Sequence, residues 1–184
     1  MLKNQLPPFL RRFCRDQRAS ISLEAVLLFP LLVWAYVATF VFFDAFRAQN
    51  TTLKAAYTLS DMLSRETDPV TQDYLDGLNT VFDYLTFTPN PTWIRVTVIT
   101  WDEADDRFEV LWSETTKSNP KWTTATLQTI ADQIPAMSNG DRSILVETTM
   151  RYRPAFRISF GEIDFENFVV TSPRFAPQLL WSNG

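Results

Sequence analysis

Residues 25–43 read AVLLFPLLVWAYVATFVFF, 19 positions without a charge between Glu24 and Asp44. At 1.5 Å per residue, a helix of that length measures about 28 Å, close to the roughly 30 Å hydrocarbon thickness of a bilayer. A core helix of a globular domain can be equally apolar. The length, the basic flank and the absence of polar interruptions select a membrane span instead. Trp34 and Tyr36 are internal, while Phe40, Phe42 and Phe43 crowd the far end. The run exceeds the apolar core of a cleaved secretory signal, about 7–15 residues, and no small-x-small site follows it. AYVA (35–38) and AFRA (45–48) both have the wrong spacing, so the segment is expected to stay with the protein.

Charge divides the chain at this span. Residues 1–19 hold five bases, Lys3, Arg11, Arg12, Arg15 and Arg18, against Asp16, a net +4; the whole chain carries -4, which leaves -8 for everything after Ala19. No base follows the span until Arg47. That asymmetry places the N-terminus in the cytoplasm and the body beyond the membrane. An acidic body argues against nucleic acid as a partner, since binding it needs positive surface along the body. The only cysteine, Cys14, lies in the basic head, so the body forms no internal disulfide; with charged LRRF before it, Cys14 is no lipoprotein site. Histidine is absent altogether, which removes the commonest general base and metal ligand.

Immediately before the span, residues 17–24 read QRASISLE. The bases end at Arg18, a small residue follows at Ala19, and Glu24 stands fifth after it, at the mouth of the apolar run. An acid at a membrane interface is tolerable because it can snorkel to water, whereas inside the bilayer it costs about 2.5–3.5 kcal/mol on insertion scales. The order of leader charge, small residue, acid and span over residues 11–47 resembles the processing region of type IV pilin-like proteins. It is most similar to the TadE/TadF-like minor pseudopilins of tight-adherence (Flp) pili. Alanine stands at position 19 where pilins usually carry glycine. The resemblance implies that a prepilin peptidase cuts between Ala19 and Ser20 on the cytoplasmic side. The cut would leave a positive α-amino group on Ser20. Glu24 would then pair with the Ser20 amine of a neighbouring protomer once apolar helices pack, because an unpaired ion in low dielectric costs several kcal/mol.

Helical periodicity continues past Asp44, with Leu53, Ala56, Leu59 or Ser60, and Leu63 on one face, and ends before Asp68-Pro69. A single helix over 20–65 is expected, about 69 Å long, with its transmembrane part at 25–43 and a kink at Pro30, which has no N–H to donate. TQDYLDGLNTVFDYL (71–85) carries a second apolar stripe. After the breaker TPNP (88–91), WIRVTVITW (93–101) and RFEVLWSE (107–114) alternate as two strands around DEADD (102–106). Ile94, Val96 and Val98 share one side of the first strand; Phe108, Val110 and Trp112 share one side of the second. TATLQTIADQI (124–134) reads as a short helix, SILVETTMRYRP (143–154) as a strand, and NFVVTS (167–172) as a last short strand. The order α-α-β-β-α-β-β with strands in a meander predicts an α+β head, 66–184, in which an antiparallel sheet packs on helices. Tyr152-Arg153-Pro154 and Pro173-Arg174 also look familiar from the pseudopilins.

Asp102, Glu103, Asp105 and Asp106 form the one dense acidic cluster, but the stretch lacks the glycine and spacing of an EF-hand and reads as a solvated turn. Without histidine, a body cysteine, a glycine-flanked serine or a phosphate-cradling loop, nucleophilic catalysis has little to build on. A glycosidase-like carboxylate pair stays open because acids are plentiful, though nothing distinguishes any two of them. Trp93, Trp101, Trp112 and Trp122 gather around the first hairpin, either as core or as a carbohydrate- or partner-binding face. The expectation is a non-enzymatic minor pseudopilin without cofactor or metal, single-pass in the bacterial inner membrane, with a periplasmic head. Its expected partners are the prepilin peptidase, other pilins or pseudopilins, the inner-membrane pilus assembly proteins and membrane lipid. The competing expectation is a permanently anchored periplasmic binding or sensing domain that keeps residues 1–19.

Overall fold

The computed structural model describes residues 17–156 and 161–183; residues 1–16, with the basic leader and Cys14, lie outside the described residues. A 49-residue helix, α1 (Gln17–Arg65), comes first, with Pro30 inside it. Having no N–H, Pro30 leaves the Val26 carbonyl without its i→i−4 partner, a loss that helices tolerate where neighbours or water supply another donor. From Ser22 to Tyr36 every side chain is exposed. The buried stripe begins with half-buried Val37 and Ala38, reaches Val41, and continues through Thr52, Ala55, Ala56, Leu59, Ser60, Leu63 and Ser64. Leu53, expected on that stripe, is instead 38% exposed, and Thr52 takes the place beneath the sheet. Thr52 can do so because its hydroxyl donates to the Gln49 carbonyl at 2.8 Å, so no polar group is stranded.

α2 (Gln72–Thr86) is capped by Thr71, whose hydroxyl accepts from the Tyr74 N–H, and ends at Phe87 in the left-handed region (φ 51, ψ 33). Its expected stripe is buried at Leu75, Leu78 and Phe82. Four antiparallel strands follow: β1 (Thr92–Asp102), β2 (Arg107–Thr115), β3 (Arg142–Tyr152) and β4 (Ile163–Thr171). Their order across the sheet is β2-β1-β3-β4, so the meander expectation fails. β3 adds beside β1 rather than β2, and the connection from β2 must cross one face of the sheet. It carries α3 (Thr124–Leu127), closed by a Thr123/Thr126 capping box, and a 3₁₀ stretch, Gln128–Gln133. The single helix expected over 124–134 is thus one α turn and a tighter tail, yet Leu127 and Ile134 still bury. β4 also begins four residues earlier than the alternation of 167–172 suggested, because Asp164 and Glu166 interrupt the hydrophobic signal while Phe165 and Asn167 face inward.

Two cores result. α1 and α2 cover Ile94, Val96, Val98, Ile144 and Val146; the crossover covers Ile99, Phe108, Leu127, Ile134 and Leu145. The β1–β2 register shifts between Val98, opposite Trp112, and Ile99, opposite Val110, leaving Leu111 as the extra residue of a bulge. Phe108 and Val110 therefore face the second core while Trp112 turns to the first, against the expectation that all three share a side. There Trp112 stacks on Trp181 (5.4 Å between centroids) and donates to the Leu179 carbonyl at 2.9 Å. The C-terminal segment is tied to the α1–α2 connection by two backbone bonds on Val70.

α1 is held at two levels, by Tyr152 at the end of β3 and by Arg174 just beyond β4. Tyr152 donates its hydroxyl to Asp44 at 2.7 Å, and burial, followed by this bond, pushes the Tyr152 hydroxyl above its usual range. Arg174 pairs with Asp61 at 3.1 Å and donates its backbone N–H to the Ser64 carbonyl at 2.7 Å. Both familiar motifs, Tyr152-Arg153-Pro154 and Pro173-Arg174, thus place a residue on α1. Tyr152→Phe leaves half-buried Asp44 without this donor and is expected to cost about 1 kcal/mol in denaturation of the full chain in detergent. The Tyr74 hydroxyl is pushed up to about 12 by burial first and its bond to Glu66 second. A phenol whose folded value exceeds its unfolded one stabilises the protein in full below pH 10 and loses that contribution as pH rises toward 12. Wild type should accordingly lose stability relative to Tyr74→Phe across that window, measured by paired denaturation series.

Candidate functional site

Ala19 and Ser20 lie in the first turns of α1, and Glu24 follows Ser20 by one helical turn. Glu24 is exposed and has no ion pair or hydrogen bond among the described residues. Above it the helix presents Val26, Leu27, Phe29, Leu31 and Leu32, each at least 60% exposed. This helix is long and apolar enough to cross a membrane, and hardly any of its apolar stretch is buried against the rest of the chain. A soluble core helix would bury that surface. The arrangement is therefore an acid at the entry of an unpartnered apolar helix, joined without interruption to the spine of the head.

The tryptophans do not gather at one place. Trp101 packs edge-on against Phe108 at 4.8 Å in the second core, and Trp112 lies in the first. Trp93 and Trp122 instead flank Arg95, whose guanidinium carbon lies 5.5 Å and 4.4 Å from their ring centroids. Arg95 grips Glu147 with two bonds of 2.6 Å across the β1–β3 pair, and the Trp122 indole N–H adds a third to the same carboxylate, also 2.6 Å. Arg95 also donates to the Pro120 carbonyl at 2.8 Å. This cluster floors a cleft of about 570 Å³ with Ile130, Gln133 and Glu166 on its walls. Sequence reasoning missed it because Arg95 and Glu147 are 52 residues apart; only the β1–β3 register brings them together.

At the β1–β2 turn, Asp102, Asp105 and Glu109 bring carboxylate oxygens within 4.8 Å of one another. Arg107 already bridges Asp105 (2.6 Å) and Glu109 (3.0 Å), so a cation would have to displace a guanidinium. Compared with protein-family models, curated proteins and solved structures, the chain has no match.

The Arg95–Glu147 pair is only 12% and 15% exposed, so removing one partner strands a charge in a poorly solvated place. Glu147→Ala is expected to destabilise the head by about 3 kcal/mol. It should also shift the emission of Trp122, read in the same unfolding experiment.

Proposed function

We propose that the protein is a minor pseudopilin of a tight-adherence pilus, of the TadE/TadF-like kind, inserted with its N-terminus in the cytoplasm and its head in the periplasm. The observation that carries this reading is Glu24, exposed and unpartnered among the described residues, at the entry of an apolar stretch that is exposed from Ser22 to Tyr36. A filament of such helices supplies both missing contacts. Apolar faces cover one another, and cleavage after Ala19 supplies an ammonium at Ser20 for the carboxylate of an adjacent protomer. Pairing of this kind fixes axial register more than it adds stability, because desolvation offsets much of the Coulomb attraction. The rigid junction between span and head suits the role, since a subunit drawn out of the membrane by its helix must bring its head along. In this reading the protein initiates, caps or regulates the filament and performs no catalysis.

A second reading is favoured by the Trp93–Arg95–Trp122 cleft: a permanently anchored periplasmic domain that binds a ligand and keeps its leader. Mass spectrometry on membranes from peptidase-competent cells separates the two. A mature chain beginning at Ser20, together with loss of pilus assembly in Glu24→Gln and Glu24→Ala, is the expected outcome. An intact leader in those cells overturns the pseudopilin reading.

A further inference from the structure

The contacts that tie the sheet to α1 also decide which end of the head faces the apolar half of the helix. Tyr152, the last residue of β3, meets Asp44, and Arg174, three residues beyond β4, meets Asp61 and Ser64. Asp44 and Ser64 are 20 residues apart, about 30 Å along a helix. β4 rises by about 27 Å over the same interval. The two elements run side by side in the same direction, so the β3–β4 connection lies at the apolar end of the spine. The Arg151 N–H donates to the Pro91 carbonyl, which brings the α2–β1 connection to that end too.

Large exposed aromatics collect there from three separate elements. Phe42, Phe43 and Phe46 project from α1 at this level, each at least 58% exposed. Tyr84 and Phe87, 73% and 82% exposed, stand 6.0 Å apart at the end of α2, where the left-handed cap turns the chain outward. Phe156, 51% exposed, follows β3. Two of the neighbouring arginines are paired: Arg151 holds Asp164 with two bonds, and Arg153 holds Glu162 at 2.9 Å. In addition, the buried stripe of α1 starts at Val37 and reaches Val41, inside the apolar run that ends at Phe43. The head therefore lies beside the last turns of the apolar segment, about 10 Å of helix. Whatever solvates those turns also touches the head.

We infer that this end of the head is itself a lipid-binding surface, an aromatic rim of Phe42, Phe43, Phe46, Tyr84, Phe87 and Phe156 seated in the interfacial layer around the exit of α1. The inference rests on the reading of α1 as a membrane span. Interfacial segments favour aromatic and apolar side chains that sit among headgroups and upper acyl chains. Phe42 and Phe43 belong to the apolar helix surface itself, and the other aromatics stand toward the end of the head where that surface stops. A protein partner would have to occupy the same zone in competition with lipid before assembly. Held this way, the head cannot swing freely about Asp44.

The test uses the full chain with Cys14→Ser and one new cysteine in each variant: Phe87→Cys, Phe156→Cys, Leu32→Cys in the span, or Ala104→Cys at the far hairpin tip. Each is labelled with an environment-sensitive fluorophore and reconstituted in phosphatidylcholine–phosphatidylglycerol vesicles, with and without lipid carrying a nitroxide near the top of the acyl chain. Labels at 32, 87 and 156 should emit to the blue and lose intensity with the nitroxide, while the label at 104 stays unchanged. If 87 and 156 behave like 104 while 32 is quenched, the rim is wrong and the span stands. If 32 is not quenched either, the membrane reading falls and the rim with it.

Discussion

The rest of the structure depends on α1 remaining one helix from the apolar run into the core of the head. Val41, Ala55, Ala56, Leu59 and Leu63 are buried on a single face, and the sheet is laid against that face. Small residues occupy much of it, with Ala45, Ala48, Ala55 and Ala56 on the packed side, which lets the sheet approach the helix closely. A helix of 49 residues exceeds what a head of this size can cover. The uncovered length is the apolar one, so the imbalance is not an accident of surface composition. It is the reverse of what folding of an isolated domain favours, because exposed apolar area costs about 25 cal/mol per Å² in water. Such a surface is of the kind that lipid or other apolar helices cover.

The sheet transmits this constraint. Tyr152 at one end and Arg174 at the other hold α1 along almost the whole length of β4. α2 is held by a polar knot around Asn79: its side-chain amide donates to the Thr92 hydroxyl at 3.1 Å and its oxygen accepts from Thr116 at 3.1 Å, while Thr116 in turn accepts from the Ile94 N–H. Each member is buried and has partners, which is the condition under which a polar network specifies a fold rather than weakening it. The apolar helix and the head are consequently joined through the continuous helix α1 and these side-chain contacts, with no intervening linker.

Much of this was legible in the sequence because long elements have strong periodicity. α1 and α2 stand where the 3.6-residue pattern places them, and β1, β2 and β3 within a residue or two of the alternation. What escaped was decided by pairing between distant residues. One inserted residue, Leu111, sends Trp112 to the opposite core from Phe108, and no local pattern announces a bulge. The position of β3 beside β1 depends on the crossover burying Leu127 and Ile134, which a short helix beside either strand could also do. The Arg95–Glu147 grip is invisible for the same reason. Glu24 stands out for the opposite reason: its signal lies in the immediate neighbours, basic residues on one side and an apolar run on the other.

Two acids bracket the apolar run, and the structure treats them differently. Asp44 is half-buried, accepts a hydrogen bond from Tyr152 and sits under the sheet, so the fold itself accounts for it. Glu24 is one helical turn beyond Ser20 and meets nothing among the described residues. If both were simply interfacial charges of a resting membrane protein, neither would need a partner, and the tyrosine at Asp44 would be an optional addition. The Tyr152 contact shows that the acid at one edge of this apolar segment is given a donor by the fold. Among the described residues nothing pairs with Glu24, and in the proposed filament the donor would come from another copy. On that proposal an amine released at Ser20 of an adjacent copy would stand at the right height, because matching helices shifted by about one turn bring position 20 of one beside position 24 of the next.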